Sequence, residues 1–244
     1  MEYQSNNNGN GNRVLSAKQS LPVNRVLHGD CIEVMRQLPA GSIDFILTDP
    51  PYLVSYCDRC GRTIQNDNNA DWLKPAFREA YRVLRRNSFV VTFYSWNKVD
   101  SFMDAWRSAG FYAVGHLVFR KSYASSKRFL RYEHEQAYLL AKGRPALPEK
   151  SIADVIDMPY SGNRIHPTQK PVAALLPLVE AFSPNGGLVL DPFCGSGSTL
   201  VAAQRLNRRY LGIELDTNHH AAASKRLAAA STGRDFSVAA AQSA

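Results

Sequence analysis

Two short apolar runs, Ile43 to Thr48 and Gly187 to Asp191, each end in a loop built from residues that dictate backbone shape. Asp49-Pro50-Pro51-Tyr52 follows the first and Pro192-Phe193-Cys194-Gly195-Ser196-Gly197 follows the second. Apolar runs of this length, separated by segments of helical period, specify strands joined by crossover helices, the pattern of an α/β sheet. Five further runs read as strands: Arg25 to His28, Ser88 to Tyr94, Tyr112 to Phe119, Gln136 to Ala141 and Tyr210 to Glu214. The chain is therefore predicted to form a doubly wound, mostly parallel sheet of seven strands.

The intervening segments supply the helices, at Asp71 to Leu84, Asn97 to Ala109, Pro171 to Phe182, Ser198 to Leu206 and Thr217 to Leu227. The second shows the period best. Val99, Phe102, Met103 and Trp106 fall at i, i+3, i+4 and i+7, and Gly110 offers a left-handed stop. Pro177 lies inside the third and is expected to bend or shorten it.

A chain of 244 residues, 45% hydrophobic, can bury one good core, so one domain over residues 21–230 is expected. The ends, 1–20 and 231–244, hold mostly small and polar residues with too little apolar surface to offset the entropy of ordering, and read as flexible tails. No apolar run is long enough to span a membrane, and the start MEYQSNNNGNGNR lacks a basic cluster followed by an apolar stretch. These features point to a soluble, cytoplasmic protein.

The excess of 29 Lys and Arg over 21 Asp and Glu, a net charge of +8, suits a polyanionic partner without specifying one. Four cysteines, Cys31, Cys57, Cys60 and Cys194, are too scattered for a disulfide framework. Cys57 and Cys60 form one Cys-x-x-Cys, half of a zinc site, with no second pair at metal-binding spacing; no metal is assigned.

The glycines of Asp191-Pro192-Phe193-Cys194-Gly195-Ser196-Gly197-Ser198-Thr199 let backbone approach a ligand at a strand-to-helix turn, where open α/β sheets bind their ligands. Glu214 ends the next strand, where a carboxylate can accept hydrogen bonds from ribose hydroxyls. No Gly-Lys-Ser/Thr follows, and the dinucleotide Gly-x-Gly-x-x-Gly is incomplete. A nucleoside cofactor with a ribose and no phosphate, S-adenosylmethionine, fits both absences. In Asp49-Pro50-Pro51-Tyr52 the two prolines stiffen a loop that presents an acid and an aromatic ring in fixed relation, as transfer to a weak nucleophile requires.

In this order, Asp-Pro-Pro-Tyr ahead of Phe-x-Gly-x-Gly, the chain resembles the amino-methylating DNA methyltransferases of the permuted β group, over residues 24–228. Three other elements share the likeness. His28-Gly29-Asp30-Cys31 resembles the family's Gly-Asp element, which implies that Asp30, with Cys31, lies beside the cofactor's adenine. His166-Pro167-Thr168-Gln169-Lys170-Pro171 resembles the motif at the methionine end, which implies cofactor contacts for His166, Thr168 and Lys170, the last two with its carboxylate. His134-Glu135 resembles a His-Glu pair without an assigned role. Read singly, Asp30 could merely cap a helix, and Lys170 could be a surface charge.

The resemblance implies S-adenosylmethionine as cofactor, DNA as partner, a possible homodimer and a cofactor site of Asp30, Cys31, Asp49, His166, Thr168, Lys170, Asp191, Phe193, Cys194, Gly195, Ser196, Gly197 and Glu214. The implied catalytic group is Asp49, Pro50, Pro51 and Tyr52. Asp49 and the Pro50 carbonyl would accept the two hydrogens of an exocyclic amine, while Tyr52 would stack on a base flipped from the duplex. An acid at position 49 is the form seen mostly with adenine, and serine with cytosine, so adenine N6 is favoured over cytosine N4. Methylation at cytosine carbon 5 would need a nucleophilic thiolate, typically in Pro-Cys, and no cysteine here follows a proline.

Arg120 to Tyr132 interleaves five cations with three aromatics, and Lys121, Lys127, Arg128 and Arg131 are the expected phosphate contacts within a recognition segment of about residues 120–165. That segment is short beside those of restriction-system relatives, which argues against strict sequence specificity. Other readings are methylation of RNA or of a protein glutamine, and a catalytically silent DNA-binding module. Enzymes that act on protein amides place the cofactor glycines before the Pro-Pro-Tyr element, the reverse of the order here.

Overall fold

A computed structural model describes residues 21–56, 61, 65–124, 129–160 and 169–231. Its strands are β1 (Arg25–His28), β2 (Ile43–Thr48), β3 (Leu84–Phe93), β4 (Tyr112–Lys121), β5 (His134–Lys142), β6 (Val155–Met158), β7 (Leu188–Asp191) and β8 (Arg209–Glu214). They form one sheet in the order β1-β8-β7-β2-β3-β5-β4-β6. Every pairing is parallel except the two made by β5, with β3 and with β4.

The helices are α1 (Cys31–Arg36), α2 (Leu73–Val83), α3 (Val99–Ala109), α4 (Val172–Phe182), α5 (Ser198–Arg205) and α6 (Thr217–Ser231). Alternation along each strand divides the core between the two faces of the sheet. Ile46 of β2 points to one face, where Met35, Phe77, Phe102 and Trp106 of the first three helices pack. Its neighbours Phe45 and Leu47 point to the other, against Leu175, Leu178, Phe182 and Leu200 of α4 and α5 and Leu227 of α6. The sheet is thus covered on both sides, as the doubly wound reading requires.

Among the described residues eight strands stand where seven were expected. The addition is β6, Val-Ile-Asp-Met, a run of only four residues that is too short to show a period; β4 supplies its pairing, Val118 opposite Val155 through Lys121 opposite Met158. The short α1 also escaped the sequence reading. Asp30 caps it, its Oδ1 accepting from the backbone N–H of Ile32 at 2.8 Å and of Glu33 at 3.3 Å.

Pro177 does not shorten α4, which runs on to Phe182. Six buried side chains hold the helix to the sheet, and the carbonyl four residues back belongs to exposed Ala173, where water can replace the missing donor. Gly110 ends α3 as expected, at φ 105°, with its N–H donating to the Arg107 carbonyl at 3.0 Å.

Strands β2 and β7 are hydrogen-bonded neighbours, Phe45 opposite Val189 and Ile46 opposite Leu190. Their parallel alignment carries the Pro-Pro and glycine loops to the same end of the sheet. The register is reinforced by Asp44, a buried carboxylate whose Oδ2 accepts from the Leu188 backbone N–H at 2.7 Å and whose Oδ1 meets Arg85.

Candidate active site

A cleft at the carboxyl ends of β1, β2, β7 and β8 is lined by Asp30, Cys31, Asp49, Pro50, Pro51, Tyr52, Lys170, Asp191, Phe193, Cys194, Gly195, Ser196 and Glu214. With its open mouth it encloses about 1330 Å³. Pockets that take a drug-sized ligand measure roughly 300–1,000 Å³, so the cleft is of ligand-binding size.

On one wall, β7 delivers Asp191 and the glycine turn. Gly195 and Gly197 both take positive φ, 49° and 77°, and Gly197 stands immediately before α5. The Gly195 N–H donates to Glu214 Oε2 at 2.8 Å, while Glu214 Oε1 accepts from the Asp216 N–H at 2.9 Å. Pairing of β1 with β8 puts His28 opposite Glu214, so Asp30 and Glu214 flank the same part of the cleft. Each oxygen of Glu214 keeps a second lone pair for a hydroxyl donor.

Behind this wall Asp191 is buried, and burial pushes its carboxyl up to about 7 against the opposing hydrogen bonds from Thr199 and the Phe193 N–H. Cys31 and Cys194 are buried as well. Burial above all, then the nearby carboxylates, drives both thiols upward, so neither is a ready thiolate.

The other wall carries Asp49 and Tyr52. The Tyr52 hydroxyl donates to Asp49 Oδ1 at 2.7 Å, and the Lys170 ammonium donates to Oδ2 at 2.5 Å. Burial raises the Asp49 carboxyl above its ordinary range; Lys170 opposes this and Glu135 adds to it. Both hydrogen bonds favour the anion, and each oxygen retains acceptor capacity for a further donor.

The described residues place the expected groups unevenly. Lys170 does not extend freely toward a ligand: its side chain is 7% exposed and its ammonium lies between Asp49 and Glu135. Lys121, expected on phosphate, is a correction. It points inward from β4, is buried, and faces Glu135 at 3.5 Å, because its position in the strand turns it to the core side. Arg131 is exposed and paired with Glu133. His166, Thr168, Lys127, Arg128, Cys57 and Cys60 lie outside the described residues.

The family model for N6 and N4 methyltransferases, described as DNA methylase, matches residues 43–225. The chain belongs to this DNA methylase family. Among relatives of this DNA methylase, YubD of Escherichia coli strain K12, a candidate methylase, is 56% identical over 207 residues, which are 85% of this chain and 91% of YubD. The DNA adenine methyltransferase YhdJ of the same strain is 28% identical over 249 residues, 84% of this chain and 83% of YhdJ. Two solved structures share the fold. M1.HpyAVI in complex with S-adenosylmethionine aligns with a TM-score of 0.67 at 24% identity, covering 83% of this chain and 98% of its own. The cytosine-N4-specific PvuII DNA methyltransferase aligns at 0.65 and 16%, covering 88% and 87%.

Three residues of this DNA methylase's site region had no role assigned from the sequence. Trp72 lies at the edge of a segment read only as helix, yet its indole packs edge-on against Phe193 at 5.0 Å and donates to the Asn66 carbonyl at 2.9 Å. Trp96, 59% exposed after β3, stacks on Tyr132 ahead of β5, at the end of the sheet that carries Asp49. Glu135 belonged to a pair without a role, and the fold brings it to Lys170. Among the described residues no helix is long and apolar enough to cross a membrane.

Proposed function

We propose that this DNA methylase transfers a methyl group from S-adenosylmethionine to adenine N6 in DNA, on a base flipped into the cleft. The observation that carries the reading is the Asp49 carboxylate, fixed through both oxygens beside the glycine turn. An exocyclic amine is a poor nucleophile because its lone pair is delocalised into the ring. The Asp49 carboxylate and the Pro50 carbonyl accept the two amine hydrogens, which localises the lone pair and stabilises the charge that develops on attack. Tyr52 presents its ring to the flipped base, while its hydroxyl holds the acid in place.

The cofactor fits the donor set of the opposite wall. Glu214 would offer a carboxylate to the ribose hydroxyls, Asp30 and Cys31 would flank the adenine, and Asp191, Phe193, Cys194, Gly195 and Ser196 line the strand-end turn on that side, with Gly197 behind the lining at the start of α5. His166 and Thr168 are proposed for the methionine end. When bound, S-adenosylmethionine supplies an electrophilic methyl group, and no thiolate is required of Cys31 or Cys194.

On the DNA side the reading rests on Lys127, Arg128 and Arg131, with the nearly fully exposed Phe129 and the stacked Trp96 and Tyr132 as aromatic contacts. Cytosine N4 is the second reading, because the same fold is found in the cytosine-N4-specific PvuII enzyme. The acid at position 49 favours adenine, as does the description of YhdJ. Nucleoside analysis of DNA incubated with the protein and cofactor decides between them: N6-methyladenine is expected, and N4-methylcytosine alone would refute the adenine assignment.

A further inference from the structure

Four charged side chains run in a row inward from the cleft with alternating sign. Asp49 Oδ2 meets the Lys170 ammonium at 2.5 Å, the same ammonium meets Glu135 Oε2 at 3.0 Å, and Glu135 Oε1 faces the Lys121 ammonium at 3.5 Å. The two lysine side chains are 7% and 3% exposed, so neither charge is solvated in the ordinary way. Lys170 also sits 4.8 Å from the centre of the Phe93 ring and 3.4 Å from the Tyr52 hydroxyl.

Buried ion pairs seldom stabilise a fold more than well-packed apolar residues of the same size would, so a row of four is poorly explained as a stability device. A different account follows from its first member. An acid in a buried cleft tends to take up a proton, and a neutral Asp49 would be a far weaker acceptor for an amine. One ammonium shared by two carboxylates supplies the counter-charge, closer to Asp49 at 2.5 Å than to Glu135 at 3.0 Å.

Accepting Asp49 as the residue that faces the target amine, we infer that Lys170 is a positioning residue rather than a cofactor ligand, holding Asp49 ionised and oriented, and that Glu135 competes for the same ammonium and so tempers that hold. The charged and titratable groups around Asp49 are Tyr52 on its own loop, Lys170 ahead of α4, Asp191 at the end of β7, Glu135 on β5 with Lys121 behind it on β4, and Tyr123 and Asp67 nearby. Burial favours a protonated Glu135, but Lys170 and Lys121 together bring its carboxyl below the ordinary range, so the second carboxylate of the row is held charged and keeps its claim on the shared ammonium.

The test is the titration of Asp49, followed by carboxyl carbon NMR in protein labelled with carbon-13 aspartate, its resonance assigned by loss in Asp49→Asn. Lys170→Met should move the midpoint upward and Glu135→Gln, which keeps an oxygen for the ammonium, downward, each by about one pH unit or more. Unchanged midpoints in variants that retain native circular dichroism, or shifts of the same sign, would overturn the assignment. Binding of S-adenosylmethionine, measured by calorimetry, should survive Lys170→Met; a selective loss would put the ammonium on the cofactor instead. The titration is read without turnover. If wild-type protein methylates no DNA while both shifts have the expected signs, the electrostatic row stands and the function proposed for Asp49 falls.

Discussion

The Tyr52 hydroxyl donates to Asp49 Oδ1 at 2.7 Å, so the aromatic ring and the acid of the Pro-Pro loop are joined by more than their spacing in sequence. A single tyrosine thereby presents a flat face to a base while its hydroxyl holds a carboxylate. Its two contributions are separable by substitution. Tyr52→Phe removes one hydrogen bond to a charged group, worth about 1.5–3 kcal/mol, and should lower kcat/KM on DNA by roughly 10- to 100-fold. Tyr52→Ala also removes the ring and should cost a further ~10-fold or more. A phenylalanine variant with full activity would detach the hydroxyl from the reaction.

Asp44 ties β2 to β7 through the Leu188 N–H at 2.7 Å. Asp44→Ala leaves that donor buried without an acceptor, a cost of about 1–3 kcal/mol, whereas half-exposed Arg85 returns to water. Urea denaturation should show the loss for Ala and a smaller one for Asn, which keeps an acceptor. Equal stability of all three proteins would show that the strand register needs no such tie.

The carboxyl of Asp191, pushed up to about 7 by burial, makes stability depend on pH in a defined direction. Because the folded protein holds this proton more tightly than the unfolded chain does, the contribution is complete below the ordinary carboxylate range and is lost as pH rises to about 7. Asp191→Asn stays neutral throughout. Its melting temperature relative to wild type should therefore improve between about pH 5 and pH 8, and a difference that stays flat would show that Asp191 ionises normally in the native state.

Lys121 and the pair Lys127 and Arg128 should behave oppositely. Replacing buried Lys121 with alanine leaves Glu135 only the shared Lys170 and should destabilise the fold by about 1–3 kcal/mol, with the salt dependence of DNA binding unchanged. Replacing Lys127 and Arg128 should leave the melting temperature alone, weaken binding, and reduce the slope of log affinity against log salt by about one per cation. Salt titrations of the variants check both halves.

Strands β1 and β2 have the bounds that their apolar runs predict, because each run is closed by a loop-forming residue. Strand β3 begins at Leu84 rather than Ser88, since Arg85 and Arg86 conceal strand behind charge, and Arg85 finds its partner in Asp44 on the neighbouring strand. The two loops of the site were legible because prolines and glycines constrain backbone locally. The destinations of Lys170 and Lys121 were not. A lysine carries the same letter whether it reaches solvent or a buried carboxylate, and only the pairings of β4 with β5 and the path into α4 bring Glu135 to both.

Asp44 and Leu188 are 144 positions apart, yet β2 and β7 lie side by side. A chain leaving the ribosome thus carries Asp49 and Tyr52 long before the strand that completes their cleft has been made. The first half of the molecule can hold the acid and the ring but no cofactor turn, and the second half the reverse. The cleft closes only when β7 and β8 take their places between β2 and β1, so a product truncated before β7 is expected to bind no S-adenosylmethionine.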